Sequence, residues 1–180
     1  MYLFFVYRMS SLSLYVFEFL EQSISATAKS GRAIEVVPYA DLSIGSKPFM
    51  DRDYTFTDIG SYSPECSFIR CSNDDKNRDP STIQTVLHVP FDSTVYLDFW
   101  GGYDHLEKVS SWIDDWSETT VQKPTVFSAE DYKWGPGVWG PGIVMQRDFK
   151  EGTINLMGNN GGGHGTYYAF VCPQSKNQYF

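Results

Sequence analysis

The sequence predicts an antiparallel β-sandwich, jelly-roll-like, with one short helix. Three observations carry this. Short stretches alternate apolar and polar residues, the mark of strands with one buried face. Between them fall turns rich in Gly, Pro and Asn, in a chain with 15 Gly, 9 Pro and 17% aromatic residues. Helical spacing of apolar residues occurs over one stretch, Leu106 to Trp116. About eight short strands then suit a sandwich better than any layered helical architecture.

Met1 to Ala28 stands apart. Two apolar runs, Leu3–Tyr7 and Leu12–Phe17, are interrupted by Arg8, Glu18 and Glu21, and Ala26-Thr27-Ala28 gives an A-x-A pattern. This reads as a secretory signal with a cleavage site after Ala28, leaving residues 29–180 as one domain. The alternative is a native N-terminal element. No run reaches the roughly 18 apolar residues that a membrane-crossing helix needs.

Ala33–Val37, Tyr54–Thr57 and Ser67–Cys71 are the first expected strands. The clearest pattern follows. Ser81–Val89 places Ile83, Leu87 and Val89 on one face, Pro90-Phe91-Asp92-Ser93 reads as a turn, and Thr94–Phe99 alternates Val95, Leu97 and Phe99 with Thr94, Tyr96 and Asp98. Together they predict a hairpin. Leu106, Val109, Trp112, Ile113 and Trp116 predict a short helix lying as a lid on the sheet edge, its indoles turned into the core. Trp134 to Gly142 contains W-G-P-G twice. Its Pro and Gly argue against a regular ladder and for a loop presenting Trp134 and Trp139. Ile143–Arg147, Thr153–Met157 and Thr166–Val171 are the last strands, the final two joined by Asn159–Gly165, which reads as a permissive hairpin connection. The expected core is Ile34, Val36, Tyr54, Phe56, Phe68, Ile83, Leu87, Val95, Leu97, Trp112, Ile154, Leu156, Tyr167 and Ala169.

Charge narrows the partners. With 14 Lys+Arg against 22 Asp+Glu the formal net charge is -8. Nucleic-acid and anionic-membrane binding both rest on the opposite sign. The three cysteines, Cys66, Cys71 and Cys172, suit one disulfide and one buried thiol in a secreted protein, with the pairing open. Asn73-Asp74-Asp75-Lys76 is a compact polar cluster. Asp74 and Asp75 are calcium candidates by residue type. The competing reading, which we favour, has them pin a turn by pairing with Arg52, Arg70 or Lys76.

Signs of catalysis are sparse. There is no G-x-S-x-G elbow, and the glycine loop lacks the Lys-Ser/Thr of a phosphate cradle. His88, His105 and His164 are isolated in the sequence. Nothing singles out a pair of acids for a glycosidase.

Several motifs occur in a fixed order: Asp51-Arg52-Asp53-Tyr54-Thr55-Phe56, then Ile69-Arg70-Cys71-Ser72-Asn73-Asp74-Asp75-Lys76, Thr94-Val95-Tyr96-Leu97-Asp98, Ser111-Trp112-Ile113, and Arg147 to Asn159. Over about Gly31 to Val171 this order resembles an all-β accessory module of large secreted bacterial proteins. Met157 departs from it, standing where that pattern carries a glycine. The resemblance implies a domain that often accompanies polysaccharide-processing or repeat domains. The expected function is therefore a non-catalytic extracellular module binding a glycan, with no cofactor required. Trp134, Trp139, Trp100 and Tyr103 would stack on sugar rings, and Asn159, Asn160 and His164 would add hydrogen bonds. A structural or adhesive domain docking an extracellular protein is the alternative. A polysaccharide hydrolase or lyase is the lesser one.

Overall fold

The computed structural model describes residues 23–120, 124–128, 137–139 and 142–174. Trp134 lies outside them. Among the described residues, antiparallel strands form three sheets. The front sheet orders β1 (Ser25–Ala28), β5 (Ile83–Val89) and β11 (Gly152–Met157). The central sheet has six strands. In spatial order they are β2 (Glu35–Pro38), β4 (Ser67–Arg70), β12 (Tyr168–Pro173), β6 (Ser93–Phe99), β10 (Ile143–Phe149) and β7 (Ser117–Glu118). A small back sheet holds β3 (Thr55–Asp58), β8 (Thr125–Ser128) and β9 (Gly137–Trp139).

The front and central sheets form the sandwich. Between them Leu87, Val89, Ile154 and Leu156 meet Ile69, Val95, Leu97, Phe99, Ile143, Ala169 and Val171 in one core. Of the expected core, Ile34, Val36 and Trp112 pack at its margin. The other face of the central sheet is also covered. Phe68, Tyr168 and Phe170 pack there against Phe49, Tyr54 and Phe56. Burial on both faces explains why Thr166 to Cys172 reads as an unbroken apolar run apart from its first residue: inner strands of a layered fold have no polar side to show.

Four expectations change. Ser81–Val89 and Thr94–Phe99 are strands, but they do not form a hairpin. β5 pairs with β1 and β11, while β6 pairs with β10 and β12. The Pro90–Asp92 turn carries the chain from one sheet across to the other. Alternation reports which face is buried, and both strands bury theirs in the same core from opposite sides. The Asn159–Gly165 loop likewise crosses between sheets, from β11 to β12. The single helix is two, α1 (Tyr103–Lys108) and α2 (Ser110–Ile113), broken at Val109, whose φ is -112°. Val109, Ile113 and Trp116 still face the core. Finally, part of the W-G-P-G segment is a ladder. Gly137–Trp139 pairs with Val126–Ser128, because Pro136 and Pro141 flank this short strand rather than interrupt it.

Ala26-Thr27-Ala28 lies in β1, opposite Leu87, Val86 and Thr85. A cut after Ala28 would remove this strand and uncover one edge of β5.

Cys66 and Cys172 form a disulfide across the paired strands β4 and β12, with Cα atoms 4.1 Å apart. Cys71 is a buried free thiol. Burial, seconded by the charge of Asp75, pushes it up to about 12, so little reactive thiolate exists at neutral pH.

Candidate functional site

At one end of the sandwich three pieces of chain meet: the 3₁₀ turn Asn73–Asn77, the exit of β6 into α1, and the loop between β11 and β12. The 3₁₀ turn is pinned from outside. The Asp51 carboxylate accepts the backbone amides of Asn73 at 2.7 Å and Asp74 at 3.0 Å. Arg52 donates to Asp74, one of the pairings expected. Asp75 is buried and takes Arg32 at 2.9 Å, a partner that sequence reasoning missed, while Arg70 goes to Glu35. These acids therefore serve as turn anchors. Among the described residues no group of three or more His, Cys, Asp or Glu side chains is placed to hold a metal ion.

From inside, Asn73 Oδ1 accepts the Thr166 amide at 3.1 Å, and Thr166 Oγ1 accepts from Gln84 Nε2 at 2.8 Å. The Thr166 carbonyl takes the Trp100 indole N–H at 3.2 Å. Trp100 is half-buried, its ring 6.3 Å from Tyr168. Gly165 allows this packing: its φ is +75°, and an added Cβ would run into the Trp100 indole and Asn73 Oδ1.

Gly101 and Gly102 follow Trp100 and turn the chain into α1. Gly101 leaves the space in which the His164 imidazole sits, since a Cβ there would strike that ring. Tyr103, two residues on, is 70% exposed, and its hydroxyl donates to Glu118 Oε2 at 3.2 Å. His105 is fully buried on the inner side of α1. It meets Phe99 edge-on at 5.1 Å, and the His164 ring lies over it at 5.9 Å.

The seven expected ligand residues thus separate. Trp100, Tyr103, Asn160 and His164 come together at this end: Tyr103 and Asn160 are exposed, Trp100 and His164 half-buried. Asn159 is a correction. It is completely buried, its amide committed to Gly165 and His105. The glycine-rich composition that suggested an open loop instead lets the backbone fold over this side chain. Trp139 belongs to β9, whose backbone pairs with β8 in the back sheet. Trp134 lies outside the described residues. His105 carried no sequence signal beyond its place in an amphipathic helix; its importance comes from Asn159, 54 residues away.

This end of the sandwich offers one open aromatic face with a carboxylate on its phenol, and a half-buried imidazole and an exposed amide on the loop between β11 and β12. Such a set can stack on a ring and orient its hydroxyls. Exposed Asp104 and Glu107 give its helix an acidic side.

The fold defines an all-β sandwich. No family model and no curated protein sequence matches the chain. Among solved structures, it is similar to part of a β-glucuronidase from glycoside hydrolase family 2, with a TM-score of 0.52 and 18% identity. The match covers 82% of this chain and 14% of that one, so this chain spans a small part of that enzyme's length. At this identity the likeness speaks for the fold.

Proposed function

We propose that this chain is a non-catalytic, extracellular carbohydrate-binding module. The observation that carries the reading is Tyr103. A large ring stands 70% exposed two residues beyond Gly101, the position that seats His164, with the Glu118 carboxylate at its hydroxyl. Exposing a phenol face costs apolar burial, and a sugar's C–H face recovers it while the Glu118 carboxylate at the phenol hydroxyl is placed to meet a sugar hydroxyl. The disulfide suits an oxidising compartment. The fold's likeness to part of a glycoside-processing enzyme is in keeping with such a role.

A glycan array with purified protein tests it. We expect binding to at least one glycan class, weakened tenfold or more by Tyr103→Ala. An array without binding, together with concentration-dependent self-association or capture of a protein ligand by the same surface, would replace this reading with the adhesive one.

A further inference from the structure

Asn159 stands between two hydrogen-bond acceptors. Its Nδ2 donates to the Gly165 carbonyl at 2.9 Å and meets His105 Nε2 at 2.9 Å. The Gly165 contact fixes which way the amide faces, because the turned-over amide would set Oδ1 against a carbonyl oxygen. An amide nitrogen only donates, so His105 Nε2 presents its lone pair and the ring proton sits on Nδ1. Both side chains are wholly buried.

We infer that His105 is a proton-operated latch on the Gly162–Gly165 half of the loop. A proton taken up from solvent at Nε2 sets two donors against each other. Turning Asn159 over satisfies the imidazolium but opposes Oδ1 to the Gly165 carbonyl. No orientation of the amide serves both neighbours, so the contact with Gly165 is lost. The first half of the loop has separate anchors, with Gly158, Asn160 and Gly161 donating to the carbonyls of Thr82, Arg78 and Lys76. The second half lies between Gly162 and Gly165, both at positive φ and suited to act as hinges.

The surroundings of the imidazole favour its neutral form. Burial holds its pKa down to about 4, helped by His164 stacked on it and Lys108 on its own helix; a backbone contact from Asn159 pulls the other way. The Phe99 ring of β6 stands perpendicular to the imidazole, while Asp104 and Glu107 on α1 are exposed. His164 rides on the half-loop that would release, so acid would disassemble the binding surface; that consequence, unlike the latch, rests on the function proposed above.

Hydrogen exchange of the 162–165 amides, followed by NMR in the sugar-free full chain and corrected for intrinsic rates, tests the latch. With an ordinary imidazole in the open loop, opening should rise about tenfold per pH unit from 6.5 to 4, on the order of a hundredfold in all. The amides of Leu97 and Val171, which exchange only through global unfolding, should stay far slower than those of the loop at every pH. His105→Gln keeps an acceptor for Asn159 and removes the titration, so its profile should be flat. An unchanged wild-type loop, the same slope in His105→Gln, or a slope abolished by His164→Gln alone would overturn the latch. Should His105→Gln not fold, the His105 ring titration in the wild-type samples decides: a ring still neutral while the loop opens would equally overturn it. Failure on a glycan array leaves this result untouched.

Discussion

The two faces of the central sheet are made from alternate residues of the same strands, yet they are packed differently. Toward the front, Ile69, Val95, Leu97, Ala169 and Val171 are aliphatic, with Phe99 at the end of β6 a ring among them. Toward the back, Phe68, Tyr96, Tyr168 and Phe170 are rings. What each face meets accounts for the difference. The front faces another sheet, whose evenly spaced side chains interdigitate with rows of similar size. The back faces a short sheet and irregular chain, where a few large rings fill uneven gaps. Tyr62, from a segment without regular structure, stacks on Phe170 at 3.9 Å and meets Tyr96 at 5.4 Å. The front core therefore spreads its stability over many small contacts and the back layer concentrates it in few.

Truncation should expose that contrast most strongly. Phe170→Ala is expected to cost about 3–5 kcal/mol and Leu97→Ala about 2–5 kcal/mol, read from denaturant unfolding. A Phe170→Ala loss below about 1 kcal/mol would show that the back layer closes over the gap and is no true core.

The disulfide comes next. Cys66 and Cys172 are 106 residues apart, so breaking the bridge frees a long loop in the unfolded chain. Cys172→Ala should cost about 2–5 kcal/mol. Thiol titration should find no reactive group in the native protein and one after unfolding, namely Cys71. Three reactive thiols would refute the bridge.

pH should reach the two faces from opposite directions. The folded His105 pKa of about 4 lies below its ordinary 6.5. The unfolded chain thus takes up this proton first as pH falls. Stability is full above about 6.5 and is lost on the way down to 4, by about 3 kcal/mol. On the back face, burial and then the charge of Asp98 raise Tyr62 and Tyr168 well above the usual phenol value. Their contribution holds below pH 10 and is lost as pH rises beyond it. Melting temperatures across pH 4–7 in wild type and His105→Gln check the acid limb, and tyrosinate absorbance during alkaline unfolding checks the other. Phenols that ionise without unfolding would show the back layer to be open to solvent.

The smallest effect on stability should come from Tyr103→Ala. An exposed ring that contacts no core leaves the melting curve within about 0.5 kcal/mol. A loss above about 1.5 kcal/mol would make Tyr103 part of the helix lid rather than a binding face.

A two-residue period is local information, so the longer strands and one buried side of each were legible in the sequence alone. Val95, Leu97, Leu87 and Ile154 were legible for that reason, as was the core face of α1 and α2 through Val109 and Ile113. Part of the candidate surface, Trp100 with Tyr103 and Asn160 with His164, could be named from residue type and turn chemistry. Pairing could not, because alternation is the same whether β5 turns back on β6 or crosses to the facing sheet. Strands β1, β7, β8 and β9 are short, and partners far along the chain hold them in extended form. The Asp75–Arg32 pair and the Cys66–Cys172 bridge likewise join distant segments. Burial decided the rest. Asn159 and His105 look like ordinary surface polar residues until the fold closes over both and sets them 2.9 Å apart, where the desolvation of each makes the hydrogen bond between them, and the proton that would break it, matter.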